Sequence, residues 1–399
     1  MIEWSDEDVM VRDAVRDWID AKVRPCLDDL DSGALPPYDL LRDLFRTFGM
    51  DELARTSFAS RRDGARDGAR DGGGDVARGG SMALLPVIEL SRVAPGLVTA
   101  LGVSLGLAAG TIMKRGTPEQ KDRWGLDLLT LDKVGAWAIT EPGSGSDAFG
   151  GMAATARRDG DGYVLNGNKT FITNGPHADT IVFYCKLDDG RPPRDREILT
   201  FVLDRGMPGL EQTPALRKMG LHSSPTGQLL LTDVRAGADR LLPAGDGGGR
   251  ESARQNFVTE RAGVAAMALG VIEECLRLSV AYARDRRLWG QAIGEFQLVQ
   301  LKLAKMEVAR LNVQNLVFRH LEMQRAGRDT TLAEASAMKL YAAQAASEVA
   351  QEAVQLFGGN GYMSEYRVEQ LARDAKSFQI YAGTDEIQIT HIARDLLSR

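Results

Sequence analysis

Residues 137–147 have the sequence WAITEPGSGSD, and they mark the point where a helical pattern gives way to a β pattern along the chain. The apolar run at Trp137–Ile139 predicts the end of a strand, and a Pro-Gly-Ser-Gly-Ser loop follows it. Such a loop presents backbone N–H groups and hydroxyls that can bind a polar ring edge or a phosphate. A plain turn has the same composition, so this segment alone leaves both interpretations open.

Helices are predicted on both sides of a central β region. Ser5 followed by Asp8 predicts a helix N-cap. Apolar residues at helical spacing predict further helices over residues 38–54, 82–129, 251–284, 296–325 and 332–356. The α, β, α order argues against a parallel α/β sheet. No G-x-G-x-x-G follows an early strand, so a Rossmann site is not indicated.

The β region is predicted from short apolar runs that are separated by glycine and proline. Strands are expected over residues 163–172, 179–186, 198–203 and 228–234. The first of these runs contains Asn166-Gly167, a pair that is typical of tight hairpin turns. We therefore expect residues 163–172 to form a hairpin with Asn166 and Gly167 at its turn.

The composition limits the kinds of partner that the protein can have. The chain has 399 residues, 44% of them hydrophobic, and a formal net charge of -6, which gives no reason to expect nucleic acid or an anionic membrane. Its three cysteines are widely spaced and its four histidines do not cluster with them, so neither a disulfide framework nor a metal site is predicted. The acidic N-terminus is unlike a targeting peptide, and we expect a cytoplasmic protein.

Two segments have unusual composition. Residues 94–113 carry no charge and just reach the length of a membrane span. Because Gly102, Gly106 and Gly110 recur there every four residues, we expect a buried helix whose glycines let a neighbour approach closely, and no membrane span. Residues 61–80 repeat the motif RDGA, which cannot form a core, so they are predicted to be a flexible surface insertion.

A series of further motifs accompanies the WAITEPGSGSD segment. They are GTPEQK (116–121), NKTFITN (168–174), KMG (218–220), FQ (296–297), QLFGGNGY (355–362), RDAK (373–376) and YAGT (381–384). In this order and spacing the series resembles the acyl-CoA dehydrogenase family from about residue 85 onward, with a looser fit over the first helices. The resemblance implies an α+β multidomain fold. An N-terminal helical domain would span residues 1–130, a middle β-barrel or sandwich domain 131–245, and a C-terminal four-helix bundle 246–399.

The resemblance also implies a noncovalent FAD and the residues that hold it. The flavin would lie along Trp137, Ile139, Thr140, Gly145 and Ser146, with Phe171, Ile172 and Thr173 covering its other side. Thr384 and Glu386 would reach its phosphate or ribityl region. Arg286, Gln297, Gln355, Gly358 and Gly359 match positions that usually hold the FAD of a neighbouring subunit. An arginine suits a pyrophosphate and paired glycines allow close backbone approach, although Gly358-Gly359 also fits a helix C-cap.

The catalytic base is the point at which this sequence departs from most of the family. Most members carry their catalytic glutamate at the position of Ala382, where the backbone N–H meets the thioester oxygen. Glu260 matches the position at which isovaleryl-CoA and long-chain acyl-CoA dehydrogenases keep their base, and those enzymes also lack the C-terminal glutamate. Apolar residues on its helical face would raise its pKa towards a useful value. The alternative is a surface glutamate beside Arg261. Ser146, Val258, Arg261 and Gly383 are expected to contact the substrate.

The reaction that the resemblance implies is α,β-dehydrogenation of an acyl-CoA thioester to the trans-2-enoyl-CoA, a step of fatty acid β-oxidation. Electrons would pass from FAD to an electron-transferring flavoprotein, and the enzyme would be a homotetramer. Two alternatives remain: an acyl-CoA oxidase that uses O2, and a catalytically silent flavoprotein subunit of a heteromeric dehydrogenase. The motifs are shared by enzymes of short branched and of long straight acyl chains.

Overall fold

The N-terminal part of the protein is a set of short helices. The computed structural model describes residues 3–66, 80–244 and 248–399. The first helices are α1 (Asp6–Trp18), α2 (Leu27–Ser32), α3 (Tyr38–Thr47) and α4 (Met50–Arg66), with π and 3-10 turns at Ile19–Val23 and Arg24–Cys26. Ser5 caps α1 in a capping box with Asp8, as predicted. The single helix expected over residues 38–54 is wrong: α3 ends before Gly49, whose φ of +63° is costly for other residues, and α4 begins at Met50.

The predicted insertion, residues 61–80, falls mostly on residues 67–79, which lie outside the described residues. Helix α4 continues to Arg66 and α5 begins at Gly80, so only the two ends of the segment can be placed. The following helices are α5 (Gly80–Ser91), α6 (Pro95–Gly102), a π-helical segment (Val103–Ala109), α7 (Gly110–Arg115), α8 (Pro118–Gln120), a second π segment (Lys121–Gly125) and α9 (Leu126–Leu129).

The apolar stretch is the helix Pro95–Arg115, in which α6, the π segment and α7 are continuous. The helix has 21 residues, and its most apolar 18-residue stretch has a mean hydropathy of 1.8, so it could span a membrane by length and composition alone, but 56% of that stretch is buried in the protein. The Oγ of Ser104 accepts a hydrogen bond from Gly135 N at 2.9 Å, which ties the helix to the sheet. The expected close approach at Gly102 and Gly106 is wrong: a Cβ added at either would meet nothing within 4 Å.

The middle of the chain forms one mixed sheet of seven strands. The strands are β1 (Gly135–Ala138), β2 (Thr155–Asp159), β3 (Gly162–Thr173), β4 (Thr180–Leu187), β5 (Ile198–Asp204), β6 (Leu210–Gln212) and β7 (Thr226–Gly237). Their order is β1-β4-β2-β3-β7-β6, and β5 pairs antiparallel with residues 180–186 of β4. Strand β1 runs parallel to β4, with Trp137 opposite Val182, so the WAITEPGSGSD loop leaves the sheet at the carboxyl end of β1.

The hairpin predicted within residues 163–172 is wrong. Residues 162–173 are a single strand, and Asn166-Gly167 lies at a β-bulge where β3 shifts register against β7. The amide of Asn166 is satisfied there by Asp233, to which it donates at 3.0 Å. The hairpin turn lies six residues earlier, at Gly160-Asp161 between β2 and β3, where Gly160 has a φ of +61°.

Long helices form the C-terminal part, as the periodicity predicted. They are α10 (Gly248–Asp285), α11 (Gln297–Arg325), α12 (Leu332–Phe357), α13 (Val368–Ser377) and α14 (Asp385–Ser398), with a two-strand ribbon, β8 (Arg287–Leu288) and β9 (Gln291–Ala292), before α11. Helix α10 packs closely against α5, because a Cβ at Gly270 would lie 2.2 Å from the carbonyl oxygen of Ile88. A single hydrophobic core therefore joins the N-terminal helices to the C-terminal bundle. The predicted domain limits at residues 130 and 245 stay predictions.

Candidate active site

The carboxyl end of β1 is fixed to β3 by a buried ion pair. Lys169 on β3 donates to the carbonyl of Ile139 at 3.0 Å and to the carboxylate of Glu141 at 2.8 Å. The other bonds of Glu141 come from the backbone N–H groups of Ala153 and Ala154. Burial lowers the pKa of Lys169, while the charge of Glu141 opposes that shift. The pair is thus satisfied on both sides and sets the path of the chain from residue 139 to residue 141.

Next to this pair, the predicted flavin-facing residues form one continuous edge. Thr170 N donates to Thr140 O at 2.9 Å, which brings the two segments side by side. Trp137 and Ile139 are buried, Thr140 is half-buried, and Gly145 and Ser146 are exposed on the loop. A side chain at Gly143 would meet nothing within 4 Å, so the loop backbone is accessible.

Phe171 has the most unusual conformation along this edge. Its φ is +56°, a left-handed value that is an outlier for a bulky residue, and 69% of the residue is exposed. It lies at the second register shift of β3, between Lys169 and Ile172, and such bulges re-aim side chains. Ile172 beside it is buried and Thr173 is half-buried. An exposed ring held in a strained conformation indicates a planar binding partner.

The candidate base lies on α10, close to that edge. The ring of Phe257, one turn before Glu260, makes an edge contact with Trp137 at a centroid distance of 6.4 Å. Val264, Met267 and Val271 on the same face of α10 are buried, as the sequence predicted. Glu260 is half-buried, and burial raises its pKa to about 7, while the charges of Arg261 and Lys339 oppose the rise. Its carboxylate can therefore accept a proton near neutral pH.

Arg261 lies behind the base and away from the surface. It is buried, its Nη1 donates to Ser336 Oγ at 2.9 Å, and its Nη2 would be 3.5 Å from a Cβ added at Gly383. Burial lowers its pKa to about 10 and the charge of Glu260 opposes this. Arg261 thus packs behind the 382–383 loop, and its expected contact with the substrate stays a prediction. Val258 is half-buried on α10.

The 382–383 loop has a left-handed backbone at two successive residues. Ala382 has a φ of +55° and Gly383 a φ of +86°. Their carbonyl oxygens accept hydrogen bonds from the Gln388 amide at 3.0 and 2.8 Å. Among the described residues, the N–H groups of Ala382 and Gly383 donate to no protein acceptor. The loop thus offers free N–H groups at the positions where the sequence predicted a thioester contact.

The remaining predicted residues lie in two places. Thr384 caps α14, accepting from Ile387 N, and Glu386 is exposed in the first turn of that helix. Arg286, Gln297, Gln355, Gly358 and Gly359 are exposed at the far end of the bundle. Gly358 ends α12 with a φ of +61°, as the C-cap interpretation predicted. Gln355 is 16 residues along α12 from Lys339, or roughly 24 Å, so this group is remote from Glu260 of its own subunit.

An open groove of about 590 Å³ adjoins the remote group. Leu288, Trp289, Ile293, Glu295, Phe296, Gln297, Leu298, Val299 and Leu356 line it. Trp289 and Leu298 are strongly exposed at its rim. Exposed aromatic and apolar side chains around a groove indicate a surface that another molecule covers.

Sequence reasoning missed several residues that hold this site together. Lys339, Gln388 and the Lys169–Glu141 pair all fix the backbone or the charge around it. Lys339 is a single lysine in an alanine-rich helix, and that pattern usually means a solvated face. Glu141 and Lys169 fall inside the quoted motifs, but their pairing across 28 residues is visible only in the folded chain.

Three family models match the chain. They describe the acyl-CoA dehydrogenase N-terminal domain over residues 5–132, the middle domain over 136–234 and the C-terminal domain over 247–397. The chain belongs to the acyl-CoA dehydrogenase family. As a member of that family it is a flavoprotein oxidoreductase that acts on acyl-CoA, which confirms the resemblance and the three-part fold predicted above.

Two curated relatives and one solved structure illustrate the similarity. This acyl-CoA dehydrogenase is 33% identical to a short-chain specific acyl-CoA dehydrogenase of Clostridium acetobutylicum over 382 residues, covering 96% of each chain. It is 35% identical over 311 residues to a mitochondrial isovaleryl-CoA dehydrogenase of Oryza sativa, covering 77% of this chain and 74% of the relative. The structure of butyryl-CoA dehydrogenase from Megasphaera elsdenii matches with a TM-score of 0.84 and 32% identity over the whole of both chains.

The residues of the site fit FAD, the cofactor of this family. The edge formed by residues 137–146 and 171–173 combines an accessible glycine-serine backbone with an exposed aromatic ring, which suits a flat polar ring system. The first turn of α14 places N–H groups where a phosphate could bind, although Asp385 and Glu386 add negative charge there. When bound, FAD supplies the acceptor for the hydrogen that leaves the β-carbon as hydride.

Proposed function

We propose that this chain dehydrogenates an acyl-CoA thioester with Glu260 as the base that removes the α-proton. The observation that carries the proposal is the position of Glu260: a half-buried carboxylate with a pKa of about 7 lies next to an arginine that contacts the 382–383 loop. A base with a pKa close to the working pH combines a large ionised fraction with proton affinity. The chain therefore retains a base although position 382 holds alanine.

The protein's own groups can perform the steps around proton removal. The N–H of Ala382 would donate to the thioester oxygen, where negative charge develops as the α-proton leaves. Glu260 would take that proton, and the buried Arg261 beside it would stabilise the carboxylate before the transfer. Phe257 and Trp137 would exclude water between the base and the flavin-facing edge, because both pack in the interior of this region.

The electron acceptor and the oligomeric state are proposed on the family resemblance. Electrons from the reduced FAD would pass to an electron-transferring flavoprotein, and the subunits would form a homotetramer. Exposed apolar residues on one face of α11, namely Leu298, Leu301, Val308 and Leu311, support such an assembly. The remote group around Gln355 would then reach the FAD of a neighbouring subunit. Light scattering that gave a monomer with bound FAD would contradict this arrangement.

The acyl group of the substrate is the next question for experiment. Relatives named for short straight chains and for isovaleryl-CoA are similarly close, so both kinds belong in the test panel. Anaerobic titration of the FAD-loaded enzyme with short, branched and long acyl-CoAs should bleach the flavin with one class. An unbleached Glu260→Gln variant that still binds that thioester would support Glu260 as the base. A fully bleached variant, or a wild type that no thioester bleaches, would overturn the proposal.

Peroxide formation separates the proposed dehydrogenase from an oxidase. After substrate reduction, exposure to air should leave a dehydrogenase largely reduced and give little peroxide. Stoichiometric peroxide would instead indicate an acyl-CoA oxidase. Co-purification of a second, related chain would indicate the silent subunit of a heteromeric enzyme.

A further inference from the structure

Lys339 is a fully buried lysine that the reaction scheme above does not use. It lies on α12, and its Nζ donates to the carbonyl oxygen of Gly383 at 2.7 Å and lies 3.8 Å from Asp385 Oδ1. Removing an ammonium group from water costs several kcal/mol unless it is paired and hydrogen-bonded, so its position needs a reason. Its main hydrogen-bond partner is a carbonyl of the loop that offers the free N–H groups.

The charges around Lys339 form a compact cluster at the base of the active site. Arg261 and Glu260 face it from α10, and Asp385 faces it from α14. Tyr381, whose pKa burial raises, is the other titratable group that interacts with Glu260 in this region. Glu386, exposed in the first turn of α14, also interacts with the charge of Lys339. The carboxylate of Asp385 is held by the amides of Gln344 and Gln379 as well. The charge of Lys339 therefore acts on Glu260 in addition to the two carboxylates of α14.

The same lysine also restrains the backbone of the loop. The carbonyl of Gly383 accepts from both Lys339 and Gln388, and the carbonyl of Ala382 accepts from Gln388 alone. A left-handed φ is unfavourable at Ala382 because the residue has a Cβ, so this conformation persists only when its surroundings hold it. Lys339 supplies one of the three bonds that do so.

We propose that Lys339 is a positioning residue for the dehydrogenation: it holds the 382–383 loop with its N–H groups directed at the thioester oxygen and supplies positive charge beside Glu260. The inference rests on the proposed role of Glu260. It assigns to one buried side chain both a geometric and an electrostatic task. Neither task requires contact with the substrate.

The proposal has a pH signature. The charge of Lys339 opposes the rise in the pKa of Glu260, so removing it should move the pKa of Glu260 further up. Burial lowers the pKa of Lys339 itself to about 8, with Asp385 opposing and Arg261 adding to the shift. In the wild type, the rate of proton removal should therefore rise around pH 7 as Glu260 ionises and decline above about pH 8 as Lys339 loses its proton.

The test compares Lys339→Met with Lys339→Arg and with a control at a distant paired cation. Methionine keeps the length and apolar volume of lysine and removes the charge and the hydrogen bond, whereas arginine keeps both in altered form. Arg92→Met serves as the control: Arg92 is a half-buried cation paired with Glu89 and Glu274, which are both buried. Glu274 lies 14 residues along α10 from Glu260, or roughly 21 Å away. The control should lower stability without changing the pH profile.

Two measurements decide the outcome. The first is single-turnover flavin reduction across pH 5.5–9.5. In Lys339→Met the acid limb of the pH profile should lie about one pH unit higher than in the wild type, which is the shift expected for loss of a nearby unit charge. The alkaline decline should be absent. The limiting rate should fall at least tenfold with little change in substrate affinity, because the oxygen contact strengthens in the transition state. The infrared difference between FAD-free wild type and FAD-free Glu260→Gln isolates the carboxyl band of Glu260. The same difference taken in the Lys339→Met background should show that Glu260 titrates at a higher pH than it does in the wild type.

Partial recovery of the wild-type profile in Lys339→Arg would support the role of charge. Lys339→Met with an unchanged pH profile and limiting rate would overturn the proposal while leaving Glu260 in place, provided that Glu260→Gln is inactive. If Glu260→Gln is active, the proposed base fails independently. Should Lys339→Met not fold, Lys339→Gln replaces it as the neutral variant. A wild-type pH profile and limiting rate in Lys339→Gln would overturn the proposal, and a shifted acid limb that is absent from Lys339→Arg would support it.

Discussion

Replacing Glu260 by glutamine tests the base and its environment at once. Glutamine has nearly the same shape and cannot accept a proton, so we expect flavin reduction at pH 8 to fall at least ~100-fold, the low end for a general base. The N–H of Ala382 is unchanged by the substitution. Thioester binding should therefore persist, and the loss should appear in the limiting rate and not in the affinity.

The same substitution should stabilise the folded protein at alkaline pH. Folding raises the pKa of Glu260 from 4.5 to about 7, so the folded state binds the proton more tightly than the unfolded state. That contribution to stability is fully present below pH 4.5 and is lost as the pH rises through 7. A shift of this size, at about 1.4 kcal/mol per pKa unit, corresponds to roughly 3 kcal/mol. The glutamine variant does not titrate and keeps this stability.

Denaturant unfolding of the FAD-loaded proteins between pH 5 and pH 9 measures the effect. The stability advantage of Glu260→Gln should grow from pH 5 to about pH 8 and then level off. Glu334 provides a control of opposite sign: its hydrogen bond with Arg319 lowers its pKa to about 2, so Glu334→Gln should be less stable than wild type above pH 4.5. An advantage for Glu260→Gln that is constant with pH, or near-normal turnover, would refute the reasoning.

Three further substitutions probe the surroundings of the base. Lys169→Met leaves Glu141 buried without its cation, so the unfolding free energy should fall by roughly 3–5 kcal/mol, and FAD retention measured by gel filtration should fall with it. Phe171→Gly removes the strain of a left-handed conformation at a residue with a side chain, which costs roughly 1–3 kcal/mol. Thermal stability without FAD should therefore hold or rise, while the Kd for FAD should increase because the exposed ring is lost. Combining Ala382→Glu with Glu260→Gln moves the carboxylate to the usual family position, and stopped-flow flavin reduction should recover roughly tenfold over Glu260→Gln alone.

The fold was predictable where the sequence pattern is long and local. The helices α10, α11 and α12 match residues 251–284, 296–325 and 332–356 within a few residues, because apolar residues at helical spacing extend over many turns. The hairpin predicted within residues 163–172 was wrong because two pairs of turn-forming residues lie close together between residues 159 and 167. Gly160-Asp161 form the turn, while Asn166-Gly167 lies in a bulge where Asn166 bonds to Asp233.

The candidate site was predictable only through motifs that lie far apart in sequence. Glu260 has no local signal that distinguishes it from a surface glutamate, and the resemblance alone singled it out. The structure agrees with the apolar face predicted around it and adds the charges of Arg261 and Lys339, which limit the rise in its pKa. Lys339 was not predictable, because its burial depends on packing between α12 and the 382–383 loop.

The left-handed turn at Ala382 has a consequence for how such enzymes diverge. The group that we propose to bind the thioester oxygen is the main-chain N–H, so every amino acid except proline provides it, and proline is also excluded by its fixed negative φ. The side chain at position 382 is then free to change once a carboxylate exists elsewhere. A lineage can therefore relocate its base in two single steps without rebuilding the oxygen-binding turn, and drift at position 382 should favour glycine, alanine and asparagine over β-branched residues.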